Sequence, residues 1–163
     1  MKTLIAYVST HHRNTHILAR SMAAHIGADT VDLLADGGPS KEEILSYDLL
    51  GLGSGIYALR HHRALLRFAA SLPRERAGKC FVFSTRGFGR PDLYHRALHR
   101  KIRRRGWEVL GDFSCRGFDT FGPLAILGGI NRGRPDGEDL QRARDFLRSI
   151  VDEAAQRSER STR

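Results

Sequence analysis

The apolar run Leu4-Ile5-Ala6-Tyr7-Val8 breaks directly into Ser9-Thr10-His11-His12-Arg13-Asn14-Thr15, after which Ile17, Leu18, Met22, Ala23 and Ile26 recur at helical spacing. Strand, hydroxyl-rich turn and helix in that order constrain the chain more than any other stretch. A helix start leaves backbone N–H groups without intrahelical acceptors and carries the positive end of the helix dipole. The hydroxyls of Ser9, Thr10 and Thr15, the Asn14 amide and those N–H groups suit a phosphate. The same residue types also make an ordinary helix cap.

The alternation continues along the chain. Apolar runs at 29–34, 47–53, 80–84 and 107–115 predict four further strands, and the third of the five is glycine-rich and nearly all apolar, the pattern of a strand covered on both faces. Helices are predicted after the Ser40 cap, over 62–72 up to Pro73, over 93–105, and after the Asp136 cap, where Leu140, Ala143, Phe146, Leu147, Ile150 and Val151 form an inner face. Five strands alternating with five helices define one α/β domain over residues 1–155, a three-layer sandwich on a parallel sheet. Residues 156–163 read as a charged, frayed tail. The irregular span 116–135 carries glycine at 117, 122, 128, 129 and 133 and reads as a lid or interface loop.

Of the 27 basic residues in the 163-residue chain, Lys2, Lys41, Lys79 and Lys101 are lysine and the rest are arginine, for a net charge of +9. Such a surface favours anionic ligands and acidic partners. No basic motif interleaved with aromatics is present, so specific nucleic-acid binding is not expected. No run reaches the roughly 18 apolar residues of a membrane span, and no secretory signal pattern opens the chain, so a cytoplasmic protein is expected. Cys80 and Cys115 read as small buried side chains within strands.

Ligands of open α/β sheets sit beyond the carboxyl ends of the strands, where strand order reverses. Three loops would converge there: 9–15, 54–60 and 84–90. Two of them bring glycine, at Gly55, Gly87 and Gly89, and an aromatic, Tyr57 or Phe88, to one rim. A phosphate cradle, glycine-bearing loops and two aromatics suit a flavin mononucleotide (FMN).

At this point the chain resembles the flavodoxin family. The resemblance rests on the S-T-x-x-x-N-T loop after the first strand, on 47–57 (Y-D-L-L-G-L-G-S-G-I-Y) and on Phe83-Ser84-Thr85-Arg86-Gly87, and it covers residues 2 to about 154. The stretches 119–123 and 129–135 also look like those of a flavodoxin-like subgroup. It implies a five-stranded parallel sheet of order 2-1-3-4-5, noncovalent FMN and electron transfer with a redox partner protein, here expected to be acidic. By position, Ser9, Thr10, His12, Arg13, Asn14 and Thr15 would meet the phosphate, while Ser54, Gly55, Ile56 and Tyr57, with Ser84, Thr85, Arg86, Gly87, Phe88 and Gly89, would flank the ring. Two further readings stand beside this one. One is a flavodoxin-fold binding module that has lost FMN and docks an acidic partner; the other is an NAD(P)H-dependent quinone or FMN reductase.

Two departures from the family matter. Flavodoxins usually carry glycine where Arg13 stands; a left-handed backbone there would cost arginine about 1–2 kcal/mol, whereas an ordinary backbone would leave a guanidinium free to bind phosphate. Electron-carrying flavodoxins are also typically acidic, and cations around a flavin favour its anionic reduced form. The pairs His11-His12 and His61-His62 approach the same rim without a carboxylate that the spacing places beside them, so they read as solvated or as cations near phosphate rather than as metal ligands. His16, His25, His95 and His99 are expected to be exposed on helices.

Overall fold

Side chains alternate faces along a strand, and the two apolar sets of each central strand here feed two separate cores. The computed structural model describes residues 1–120 and 128–161. Its elements run β1 (Thr3–Val8), α1 (Asn14–Ile26), β2 (Asp29–Asp32), α2 (Lys41–Leu45), β3 (Leu49–Tyr57), β4 (Arg60–His61), α3 (Arg63–Ser71), β5 (Lys79–Arg86), α4 (Pro91–Arg103), β6 (Glu108–Arg116) and α5 (Gly137–Ser161). Leu4, Ala6, Val8, Leu50, Leu52 and Val82 pack on α3 and α4 through Leu65, Phe68, Leu98 and Ile102. Ile5, Tyr7, Leu49, Phe81 and Phe83 pack on α1 and α5 through Leu18, Met22, Leu147 and Ile150. The result is a three-layer α/β sandwich.

The strand order is β2-β1-β3-β5-β6, all parallel, with β4 paired antiparallel to β3. This is the expected 2-1-3-4-5 order with one hairpin strand added. A two-residue strand has no periodicity to read, so β4 falls inside what the sequence presents as a loop. The 54–60 segment is likewise not all loop. Parallel pairing with β5 continues to Gly55↔Thr85, and the hairpin pairs Ile56 with His61, so β3 remains a strand through Tyr57. The last helix runs on to Ser161, past the position where the composition suggests fraying. Arg157 helps extend it, pairing with Glu153 one turn back and with Glu108 on β6. Residues 121–127 of the irregular 116–135 span lie outside the described residues. No helix among the described residues is long and apolar enough to cross a membrane.

Glycine in β3 is required by packing. Gly51 and Gly53 stand in register with Phe81 and Phe83 of β5. A Cβ on Gly51 would lie 2.4 Å from the Phe81 ring, and one on Gly53 2.2 Å from the Phe83 ring. The buried phenylalanine rings therefore lie over bare backbone of the neighbouring strand. Cys80 and Cys115 are both free and buried, and burial pushes the Cys115 thiol up to about 12. Cys115 lies on the edge strand rather than an interior one, but within the α1/α5 core.

Gly53→Ala is expected to lower stability by about 1–3 kcal/mol through overpacking. The double variant Gly53→Ala/Phe83→Leu should recover part of that loss relative to the sum of the single changes. Urea unfolding of the four species measures it; strict additivity would show that the Gly53–Phe83 contact is not the cause.

Candidate functional site

Parallel register sets Val8, the last residue of β1, beside Ser54 of β3, and Ser54 beside Ser84 of β5. β1 ends on that line, while β5 runs on to Arg86 and β3 to Tyr57, and a cleft of about 490 Å³ lies at this rim. That volume is within the range of small-molecule sites. Asn14 and His11 line one side, Gly55 to Leu59 a second, Thr85 to Phe88 a third, and Gly117, Phe118 and Asp119 a fourth, joined by Tyr94 of α4.

The 9–15 loop is built as an anion cradle would be. Ser9 Oγ is buried and has no hydrogen-bond partner. The first α1 N–H to find a helical acceptor is that of Ile17, bonded to Arg13 O at 2.9 Å, so those of Asn14, Thr15 and His16 have no acceptor within the helix. The N-cap residue, Arg13, gives no side-chain cap. The hydroxyls knit the loop to its neighbours: Thr10 Oγ1 donates to Tyr57 Oη at 2.6 Å, and Thr15 Oγ1 and Thr85 Oγ1 are 2.8 Å apart. His12 Nε2 meets Thr120 Oγ1 at 2.8 Å, and Asn14 Nδ2 donates to Phe118 O at 2.8 Å.

Arg13 takes the strained branch of the two readings above, with φ 55° and ψ 21°. Its guanidinium donates to His16 Nε2 at 2.8 Å and lines no part of the cleft. His16 then offers Nδ1 to Tyr7 Oη at 2.7 Å. Burial, and then the charges of Arg13 and Arg20, hold the His16 ring below its ordinary pKa, which agrees with a neutral ring accepting from arginine.

The ring-flanking segments divide between the cleft and the α4 side of the sheet. Gly55, Ile56, Tyr57, Thr85, Arg86, Gly87 and Phe88 line the cleft, with Phe88 62 % exposed at its mouth. A Cβ on Gly87 would lie 2.3 Å from Asp119 Oδ2, so any side chain there would have to push that carboxylate aside. Gly89 turns the chain at φ 85°, close above Tyr94. Ser54 and Ser84 do not reach the cleft. Both are fully buried on the α4 face of the sheet, Ser54 against His61 and Ser84 against His95. Their neighbours at odd positions turn to the opposite face, as a period of two requires.

His95 is 1 % exposed and His61 3 % exposed, against the expectation that helical and loop histidines here face solvent. Tyr94, His95, Leu98 and Ile102 all fall on the inner arc of α4, a 3.6-residue signal readable in the sequence. The cleft wall at Gly117–Asp119 carried no such signal, because a single antiparallel bridge between Asp119 and Ile130 shapes it. Asn131, itself at φ 57°, ties that wall to the β5 loop by donating to Gly87 O at 2.7 Å.

An α/β sandwich with this strand order and a cleft at the carboxyl rim of β1, β3 and β5 is a flavodoxin-like fold. Oxidised flavodoxin 1 from Bacillus cereus superposes with a TM-score of 0.68 at 18% identity, over 93% of this chain and 98% of that one. A Lactobacillus acidophilus flavoprotein, solved in complex with FMN, superposes with a TM-score of 0.56 at 15% identity, over 69% of this chain and 92% of that one. No protein-family model matches the chain. In sequence it is 37% identical over 152 residues to the uncharacterized protein MJ0298 of Methanocaldococcus jannaschii, spanning 93% of this chain and 99% of that protein. The chain belongs to the same family as that archaeal protein, within the flavodoxin-like fold family.

Two outcomes follow from the 9–15 loop. Arg13→Gly should stabilise the apoprotein by about 0.5–1 kcal/mol, the relief of a left-handed arginine less the extra freedom of glycine in the unfolded chain; urea midpoints measure it. The folded pKa of His16 lies below its unfolded value, so its contribution to stability is complete above about pH 6.5 and is lost as pH falls through the folded pKa. The stability difference between wild type and His16→Gln should therefore shrink on acidification below that pH, and an NMR titration should find the His16 ring protonating below 6.5.

Proposed function

We propose that this chain binds FMN noncovalently and acts as an electron-transfer flavoprotein. The observation that carries the reading is the junction of two features: a cleft with aromatic and glycine walls, and beside it a buried, unpartnered Ser9 Oγ at an uncapped α1 N-terminus. An unsatisfied buried hydroxyl next to free N–H groups is costly without an anion and favourable with one. The FMN complex of the L. acidophilus flavoprotein supports the same assignment.

Ser9, Thr10, Asn14, Thr15 and the α1 N–H groups would hold the phosphate. The 55–59 hairpin and the 85–88 segment would flank the ring, with Tyr57 and Phe88 as the aromatic covers. The flavin supplies the redox chemistry. The protein excludes water from the ring through the apolar lining of the cleft, and fixes the Tyr57 hydroxyl through Thr10. It also sets a positive field. Arg86 lines the cleft while its Nε donates to Ser114 Oγ at 3.1 Å, which orients the guanidinium. The outer face of α4, with exposed Arg96, Arg100, Arg103 and Arg104, suits an acidic redox partner.

The purified protein is expected to show flavin absorbance or to bind FMN one-to-one in a fluorescence titration, with riboflavin binding more weakly because it lacks the phosphate. Failure to bind FMN at all would favour a module without cofactor. In the loaded protein, the couple to fully reduced flavin should lie at a higher potential than in acidic flavodoxins, and Arg86→Gln should shift it to more negative values; redox titration with reference dyes reads both.

A further inference from the structure

On the α4 side of the sheet, opposite to the cleft-lining side chains, three serines stand in one row across three strands: Ser54 beside Ser84, and Ser84 beside Ser114. Imidazoles pack over this row, with the His61 and His95 ring centroids 5.0 Å apart and those of His95 and His99 6.2 Å apart. Asp112 of β6 closes the group, its Oδ1 2.7 Å from His99 Nε2 and its Oδ2 3.4 Å from His95 Nδ1.

The proton inventory of this layer does not close. Ser54 has one hydroxyl proton and gives it to Gly55 O at 2.8 Å, while accepting from the His62 N–H at 3.0 Å. Its 2.9 Å bond to His61 must then be donated by His61 Nδ1, which leaves Nε2 of a neutral ring as a bare lone pair. That Nε2 is buried with no partner. Ser84 gives its proton to Ser114 Oγ at 2.9 Å, so His95 Nε2 donates to Ser84 and His95 Nδ1 is left as an acceptor. His95 Nδ1 is also buried with no partner, and it faces a carboxylate oxygen. Two acceptors facing each other call for a proton or a metal ion between them, and their 3.4 Å separation is longer than an ordinary N–H···O bond. Ser84, His95 and Asp112 follow the order of a hydrolytic triad, but Ser84 is fully buried, has given its proton to Ser114 and lines no part of the cleft.

We infer that His95, His99 and Asp112 form a binding site for a divalent transition-metal ion of the zinc class. His95 and His99 are one helical turn apart on α4, the spacing that places two imidazoles on one face, and β6 supplies the carboxylate across from them. One ligand atom from each of the three residues lies within 4.8 Å of those of the other two. Ligands at 2.0–2.2 Å from an ion are themselves roughly 2.9–3.5 Å apart, so small side-chain rotations complete the site. Two nitrogens and one oxygen favour zinc, iron(II), cobalt or nickel over magnesium and calcium, which prefer all-oxygen sets. Ser84 on the far nitrogen of His95 is the outer partner that fixes the ring so that Nδ1 faces the ion. His99 and Asp112 are 20 % and 33 % exposed in their side chains, which gives the ion a path from solvent. Three protein ligands leave a coordination position for water.

Calorimetric titration of the full chain with Zn²⁺ tests the site, with Mg²⁺ as the control and the visible absorption of added Co²⁺ as a report on coordination. One Zn²⁺ per chain should bind and raise Tm, Co²⁺ should develop a nitrogen-ligand spectrum, and Mg²⁺ should do neither. His99→Ala and Asp112→Asn, each shown to be folded by circular dichroism, should weaken Zn²⁺ about 100-fold or more. His12→Ala, which removes a histidine of the distant 9–15 loop, should leave it unchanged. Zn²⁺ affinity equal in wild type, His99→Ala and Asp112→Asn, or lost in His12→Ala instead, would overturn the assignment, as would no Zn²⁺ binding by the wild type. None of these readouts depends on FMN.

Discussion

The shared register of β1, β3 and β5 is the constraint from which the site follows. Adjacent strands lie about 4.8 Å apart, so three neighbouring strands in register place their following loops across roughly 10 Å of rim. That width is set by backbone hydrogen bonds and not by any side chain in the cleft. The register depends in turn on Gly51 and Gly53, because the Phe81 and Phe83 rings occupy the space that a side chain on β3 would need. A slip of one residue would exchange the two faces of the strand and set those rings against side chains instead of bare backbone.

Backbone strain is concentrated on the same rim. Among the described residues, the non-glycine residues with positive φ are His12, Arg13, Ala58, Leu59 and Asn131. The first two are in the 9–15 loop, the next two form the tight turn between β3 and β4, and Asn131 holds the 85–89 loop. Each costs about 1–2 kcal/mol relative to a relaxed backbone, and such strain persists only where surrounding contacts over-determine it. Those contacts are present: Thr10 to Tyr57, His12 to Thr120, Asn14 to Phe118 O and Asn131 to Gly87 O. The loops are thereby held in position rather than left to be ordered by a ligand, which reduces the entropy that binding must overcome.

The layer architecture was legible in the sequence because runs such as Leu4 to Val8 and Cys80 to Phe83 are long enough for their period to show. Loop 9–15 was legible for the same reason, lying between a clear strand and a clear helix. The division of labour at 54–57 and 84–89 was not. Whether Ser54 faces the cleft or α4 depends on where β3 ends, and that is decided by pairing with β5 and β4, which are distant in sequence or too short to read. The 116–135 span stood out as a lid or interface loop by its length and glycines, but the shape of the Gly117–Asp119 wall was not legible, because it is set by contacts to 130–131 and has no period of its own. His95 is a different case, since its place on the inner arc of α4 is implied by its spacing to Tyr94, Leu98 and Ile102.

A buried row of serines beneath histidines is a costly way to fill a helix–sheet interface, because apolar residues would pack against Leu98 and Ile102 without leaving ring nitrogens unpartnered. What the row holds in place accounts for its position at the carboxyl rim. Ser54 accepts from the His62 N–H and fastens the returning arm of the hairpin whose tip, Ala58-Leu59, forms one wall of the cleft. Ser114 accepts from Nε of Arg86, the one arginine that lines the cleft among the described residues. Ser54, Ser84, Asp112 and Ser114 thus carry the polar layer on the α4 side, while Tyr57 and Thr85 line the cleft, joined by Ile56 and Arg86 where the strands end. A change of charge or protonation in the histidine layer reaches the cleft through Ser84, Ser114 and Arg86, three groups joined by hydrogen bonds of 2.9 and 3.1 Å.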